Sequence, residues 1–155
     1  MSLLESNSQA PCAWHGELPI VSRYTYGLAG ERFFRALKDE GRLLASKCDA
    51  CDVTYLPARQ FCERCLNELS EWFDAGLRGV VHTFTLLHLN LDGSEKEEPE
   101  LVAFISIADG GLVHWLGEVD PEQVEIGMAV EAVLKPKTKR QGSILDIKYF
   151  KPVGG

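Results

Sequence analysis

The sequence predicts a mostly-β chain with an N-terminal arm and helix, a small metal-held ribbon and a five-stranded barrel. Three observations carry that expectation. Cys48 and Cys51 form one Cys-x-x-Cys pair, Cys62 and Cys65 form a second, and ten residues separate the pairs. Beyond Gly79 the chain is rich in β-branched and aromatic residues between Gly- and Asp-containing turns, as strands are. Only AGERFFRALKDEG, residues 29–41, has helical periodicity.

The cysteine stretch, KCDACDVTYLPARQFCERC, carries the chemistry. Each Cys-x-x-Cys can turn both sulfurs toward one point, and two such turns offer four thiolates at the corners of a tetrahedron. Between the pairs, Val53 and Tyr55 alternate with polar neighbours, Pro57 and Ala58 can turn, and Phe61 is expected to re-enter as a strand. The pattern makes Cys48, Cys51, Cys62 and Cys65 ligands of a structural zinc ion in a rubredoxin-like ribbon. Iron suits the same cage. Two disulfides would belong to an oxidising compartment, yet MSLLESNSQAPC has neither the basic start nor the apolar run of a secretory signal. A cytoplasmic protein with reduced thiols is therefore expected, and Cys12 is the odd cysteine.

No apolar run approaches the roughly 20 residues of a membrane-spanning helix. The net charge of −7 is unevenly spread. Residues 77–134 hold two basic groups against eleven acids, net −9, whereas residues 135–155 hold six basic groups against Asp146, net +5. Such an acidic barrel argues against a nucleic-acid-binding module, which needs neutralising cations and stacking aromatics.

In chain order, residues 1–27 read as an extended arm broken by Pro11, Gly16, Pro19 and Gly27. Its Trp14, Tyr24 and Tyr26 are costly to leave in water and mark it for a partner or for its own domain. Residues 28–76 hold the helix and ribbon. Phe33, Phe34 and Leu37 form an apolar stripe, Glu31 is placed in the first turn and Gly41 ends the helix. Two adjacent phenylalanines exceed what a small ribbon covers, so Phe33, Phe34 and Leu37 join the arm aromatics as candidate partner-binding residues. Residues 77–155 supply strands at 80–89, 101–108, 112–119, 128–134 and 143–150, with 92–100 a charged loop and Asp109-Gly110-Gly111 a turn. Five strands without a long helix point to a small barrel of the OB type. The loop before its last strand carries Lys135, Lys137, Lys139 and Arg140, which suit coenzyme A phosphates or an acidic protein patch. His82, His88 and His114 lie on predicted strands without a surrounding motif.

The aromatic helix, the four-cysteine ribbon with Tyr55-Leu56-Pro57-Ala58-Arg59, and Gly79-Val80-Val81 opening the barrel together resemble the acyl-CoA-associated zinc-ribbon/OB-fold family. That family was long catalogued as a domain of unknown function, and its members are often encoded beside thiolases. The resemblance covers about residues 28–152, including Gly127–Val130 and Phe150-Lys151-Pro152. The start RYTYGLAGERFF is similar to a subgroup serving thiolytic cleavage of 2-benzoylsuccinyl-CoA in anaerobic toluene degradation. Members often carry Gly after the second cysteine and Pro after the third, where Asp52 and Glu63 stand here. The resemblance implies a non-catalytic subunit that holds a thiolase in a hetero-oligomer and helps it handle acyl-CoA. The other readings are a nucleic-acid-binding zinc-ribbon/OB module and a rubredoxin-like electron carrier with iron in the cage.

Overall fold

The computed structural model describes residues 24–154; Trp14 and Cys12 lie outside them, as does most of the arm. Helix α1 (Gly27–Asp39) begins two residues before the expected start, which moves Glu31 out of the first turn; it pairs with Arg35 at 2.5 Å instead. The helix stops as expected at Gly41, where the chain takes a positive φ of 72° and the amide bonds back to Ala36 and Leu37.

Strands β1 (Leu44–Cys48), β2 (Val53–Tyr55) and β3 (Trp72–Asp74) form the ribbon sheet in the order β2-β1-β3. Leu44 opens β1, which ends at Cys48 and leads into the first cysteine turn. Phe61 does not re-enter as a strand: it makes one isolated bridge to Glu68 and is exposed. The segment after Leu56 is instead held by Ser46, whose buried hydroxyl donates to the Arg59 carbonyl and accepts from its amide.

The barrel strands are β4 (Arg78–Leu89), β5 (Glu95–Ile107), β6 (Gly110–Trp115), β7 (Ala129–Leu134) and β8 (Ile147–Pro152), ordered β6-β5-β4-β7-β8. A parallel bridge between Leu116 and Phe150 closes the sheet on itself, with the Gly117 amide on the Phe150 carbonyl at 2.8 Å. Gly79 sits where β4 crosses β5 so closely that a Cβ would lie 2.4 Å from the Ser106 carbonyl.

Two boundaries differ from the sequence expectation. Most of the expected loop at 92–100 is strand, because the turn closes early: Asn90 and Ser94 pair through the backbone, and Asp92 accepts from the Ser94 amide and hydroxyl. The next hairpin turns on Ala108 and Asp109, both at positive φ, while Gly110 and Gly111 are already in β6. A two-residue turn with both central residues left-handed matches the twist of the flanking strands.

One buried cluster crosses residue 76. Phe33 and Leu37 of α1, Leu43 and Ala45 of the ribbon, and Val81, Ile105, Val130, Ile147 and Phe150 of the barrel belong to it. Phe33 and Leu37 are 0% exposed, so they are core residues and present nothing to a partner. Ribbon and barrel residues together cover the aromatic helix, so residues 28–76 and 77–155 share one core. Among the described residues no buried polar side-chain atom lacks a hydrogen-bond partner.

Candidate metal centre

Two tight turns bring the cysteines together. The first follows β1, and the residue after its second cysteine, Asp52, has φ 49°; the second turn repeats this at Leu66, φ 61°. The left-handed residue lets each chain leave its turn with both sulfurs facing inward. Asp at the first position tolerates this, and its carboxylate meets Lys47 at 2.9 Å. The Asp52 and Glu63 departures from the family pattern therefore leave the ligand set intact.

The four sulfurs all lie within 4.8 Å of one another, with Cys48 and Cys65 Sγ 3.6 Å apart. A tetrahedral Zn–S bond of about 2.3 Å places its sulfurs about 3.8 Å apart, so the cage fits the ion. The four cysteines are free thiols. Bound zinc supplies the charge that holds four thiolates at once and closes the ribbon.

The surroundings prepare the sulfurs unequally. The Tyr55 hydroxyl lies 3.3 Å from Cys62 Sγ, and the Arg64 amide donates to the same sulfur at 3.4 Å. The Tyr55 hydrogen bond, with backbone amides behind it, holds the Cys62 thiol down to about 6. Hydrogen bonding with Cys65, then burial, pushes Cys51 up to about 12. Tyr55, Cys48, Cys62 and Leu69 form a small core of their own.

The basic loop is less free than its sequence implies. Arg140 donates to the Lys135 carbonyl at 2.8 Å and to the Lys38 carbonyl at the end of α1 at 3.5 Å, so its charge serves the helix terminus. Lys135 is half-buried, whereas Lys137 and Lys139 are exposed. Sequence reasoning missed the anchor of this loop. Asp146, 1% exposed, accepts from the amides of Gln141, Gly142 and Ser143. Burial opposes its charge, but these amides outweigh it and keep the carboxyl below its ordinary range. A Ser-x-x-Asp capping box was the readable signal, with Ser143 and Asp146 reciprocally bonded.

Of the arm and helix candidates, Tyr24 and Tyr26 are exposed, and Phe34 is half-buried with its ring 5.0 Å from that of Tyr26. His114 is buried and structural: its Nδ1 accepts from the Trp115 amide and its Nε2 faces the Ile144 carbonyl. His82 packs edge-on against Phe104.

A four-thiolate ribbon fused by one core to an OB barrel defines a zinc-ribbon/OB-fold protein. The ChsH2 rubredoxin-like zinc-ribbon model matches residues 35–70, and the ChsH2 C-terminal OB-fold model matches residues 72–135. A DUF35 domain-containing scaffold protein of Methanocaldococcus jannaschii is 31% identical over 79% of this chain and 89% of its own length. Its counterpart from Methanothermobacter thermautotrophicus is 29% identical over 78% and 94%. The chain belongs to the DUF35 family. The fold is shared with a DUF35 protein of unknown function from Sulfolobus solfataricus (TM-score 0.60, 23% identity, covering 82% of this chain and 87% of that one). It is shared also with a chain of the Ltp2-ChsH2(DUF35) aldolase (TM-score 0.58, 23% identity, 84% and 98%). No helix among the described residues is long and apolar enough to cross a membrane.

Proposed function

We propose that this chain is a non-catalytic scaffold subunit that holds a thiolase-type enzyme acting on acyl-CoA, in the reduced environment of the cytoplasm. The observation that carries the reading is the commitment to structure of the four cysteines and the buried histidine among the described residues. Four thiols converge on one metal point, and His114 has both ring nitrogens bonded. Support also comes from the scaffold designation of the archaeal relatives and from the aldolase whose chain shares this fold. The finer reading, thiolysis of 2-benzoylsuccinyl-CoA, rests on the RYTYGLAGERFF resemblance alone. Exposed Tyr24 and Tyr26, with Phe34 behind Tyr26, are the anchors this reading offers the enzyme.

The test is purification of the tagged chain from its native cells, with mass spectrometry of the stoichiometric partner and thiolysis assays of the complex. A thiolase-type partner whose activity falls when Tyr24 and Tyr26 become serine is expected. Recovery of nucleic acid, or of the chain with no stoichiometric enzyme, overturns the reading.

A further inference from the structure

The hairpin formed by β4 and β5 is longer than the barrel needs. β4 pairs with β7 only over Arg78–Val80, and β5 pairs with β6 only from Val102 to Ile107. Residues 87–100 therefore project as a two-stranded arm with no further strand on either side among the described residues. Such a ribbon is marginal alone in water, and this one also exposes Leu87, Leu89 and Leu91 at 40%, 57% and 110%. It carries Glu95, Glu97 and Glu98, all exposed. None of the three makes an ion pair among the described residues.

The opposite chemistry stands on the same chain. Exposed Lys137 and Lys139 also lack an ion pair among the described residues. Their loop runs into Ile144 and Leu145, which with Val113 and Trp115 line an open, mainly apolar pocket of 190 Å³. Cavities of roughly 150 Å³ hold a benzene-sized group, so a leucine side chain fits this one. Asp146 fixes the end of the loop beside the pocket.

We infer that the acidic leucine arm of one copy seats on the basic loop and apolar pocket of a second copy, and that the second copy's arm does the same in return. The exchange is two-fold symmetric, so it closes at a dimer. Apolar meets apolar and acid meets base at both contacts. The shared net charge of −7 opposes association, but beyond about 8 Å it is screened at physiological salt, whereas the contact pairs lie inside that distance. A nucleic-acid or anionic-membrane occupant would meet the arm's carboxylates with like charge.

The experiment is sedimentation of the full zinc-loaded chain at about 0.1 M and about 0.5 M NaCl. The mass of two chains is expected at low salt, with the dissociation constant rising about tenfold at high salt. E95K/E97K/E98K and K137E/K139E should each weaken the dimer at least about tenfold, and the combined reversal should restore it. That rescue separates lost contact from lost folding. A monomer throughout, a dimer indifferent to both reversals, or no rescue by the combined reversal in folded protein overturns the inference. So does a K137E/K139E variant that loses coenzyme A binding while its mass stays that of two chains.

Discussion

The Tyr55 hydroxyl lies 3.3 Å from Cys62 Sγ and accepts the Glu63 amide at 3.2 Å, so one phenol joins β2 to the second cysteine turn. A donor at a ligand sulfur steadies the thiolate and fixes its direction. Tyr55→Phe should keep the ribbon's shape and weaken zinc binding by roughly 10- to 100-fold, measured by chelator competition. Unchanged affinity would show that the backbone amide alone suffices.

Leu66 holds a φ of 61° in the open, 76% exposed. A branched side chain in that conformation costs about 1–2 kcal/mol, part of which glycine's greater unfolded freedom would offset. Leu66→Gly should raise stability by up to about 1 kcal/mol, about 2–4 °C in melting temperature. A lower melting temperature would mean that Leu66 packs usefully in solution.

Phe33 and Phe34 are neighbours in sequence with opposite fates. Phe33 is 0% exposed and belongs to the core that joins helix, ribbon and barrel, while Phe34 sits at its edge against Tyr26. Phe33→Ala should cost about 3–5 kcal/mol, and Phe34→Ala clearly less. Urea melts of the two variants decide this; equal losses would contradict the shared core.

Asp146 holds three successive backbone amides. Asp146→Ala leaves these part-buried amides without their carboxylate acceptor and should cost about 1–3 kcal/mol. Because its carboxyl lies below the ordinary range, the stabilisation is complete above about pH 4 and is lost as pH falls through the folded value. Thermal melts from pH 7 to pH 3 should therefore fall less steeply in the variant than in the parent chain.

His114 should resist protonation. Burial is the larger cause of its lowered pKa, outweighing its bonds to the Ile144 carbonyl and the Trp115 amide. Accepting the Trp115 amide also commits Nδ1 as a lone pair, so the ring is neutral with its proton on Nε2. The neutral ring's contribution is present above the ordinary histidine pKa of about 6.5 and declines as pH falls from there toward the lower folded value. A ring titration by NMR should place His114 below that ordinary value; one at or above it would refute the buried neutral ring.

Much of this protein was legible in its residues because the relevant physics is local. The spacing of Cys48, Cys51, Cys62 and Cys65 fixes how four sulfurs can meet, whatever the rest of the chain does. Gly41 at a positive φ ends α1 where a glycine after a periodic stretch should, and five strands follow Gly76 because their residues favour extended backbone. Leu66 escaped notice because nothing in a leucine signals a left-handed residue.

The remainder was decided between distant residues. Whether Phe33 faced a partner or a core depended on where Val81 and Ile147 would stand, more than 40 residues on. Arg140 reads as a free cation in KPKTKR until the fold brings the Lys38 carbonyl within reach of it. The arm at residues 87–100 exists because β6 and β7 end their pairing before β4 and β5 do. Periodicity along a strand reports the strand and not the length of its neighbours. Cysteine spacing is enough to specify the metal cage, because it acts through local geometry; which aromatic groups and charges stay at the surface depends on packing between distant segments.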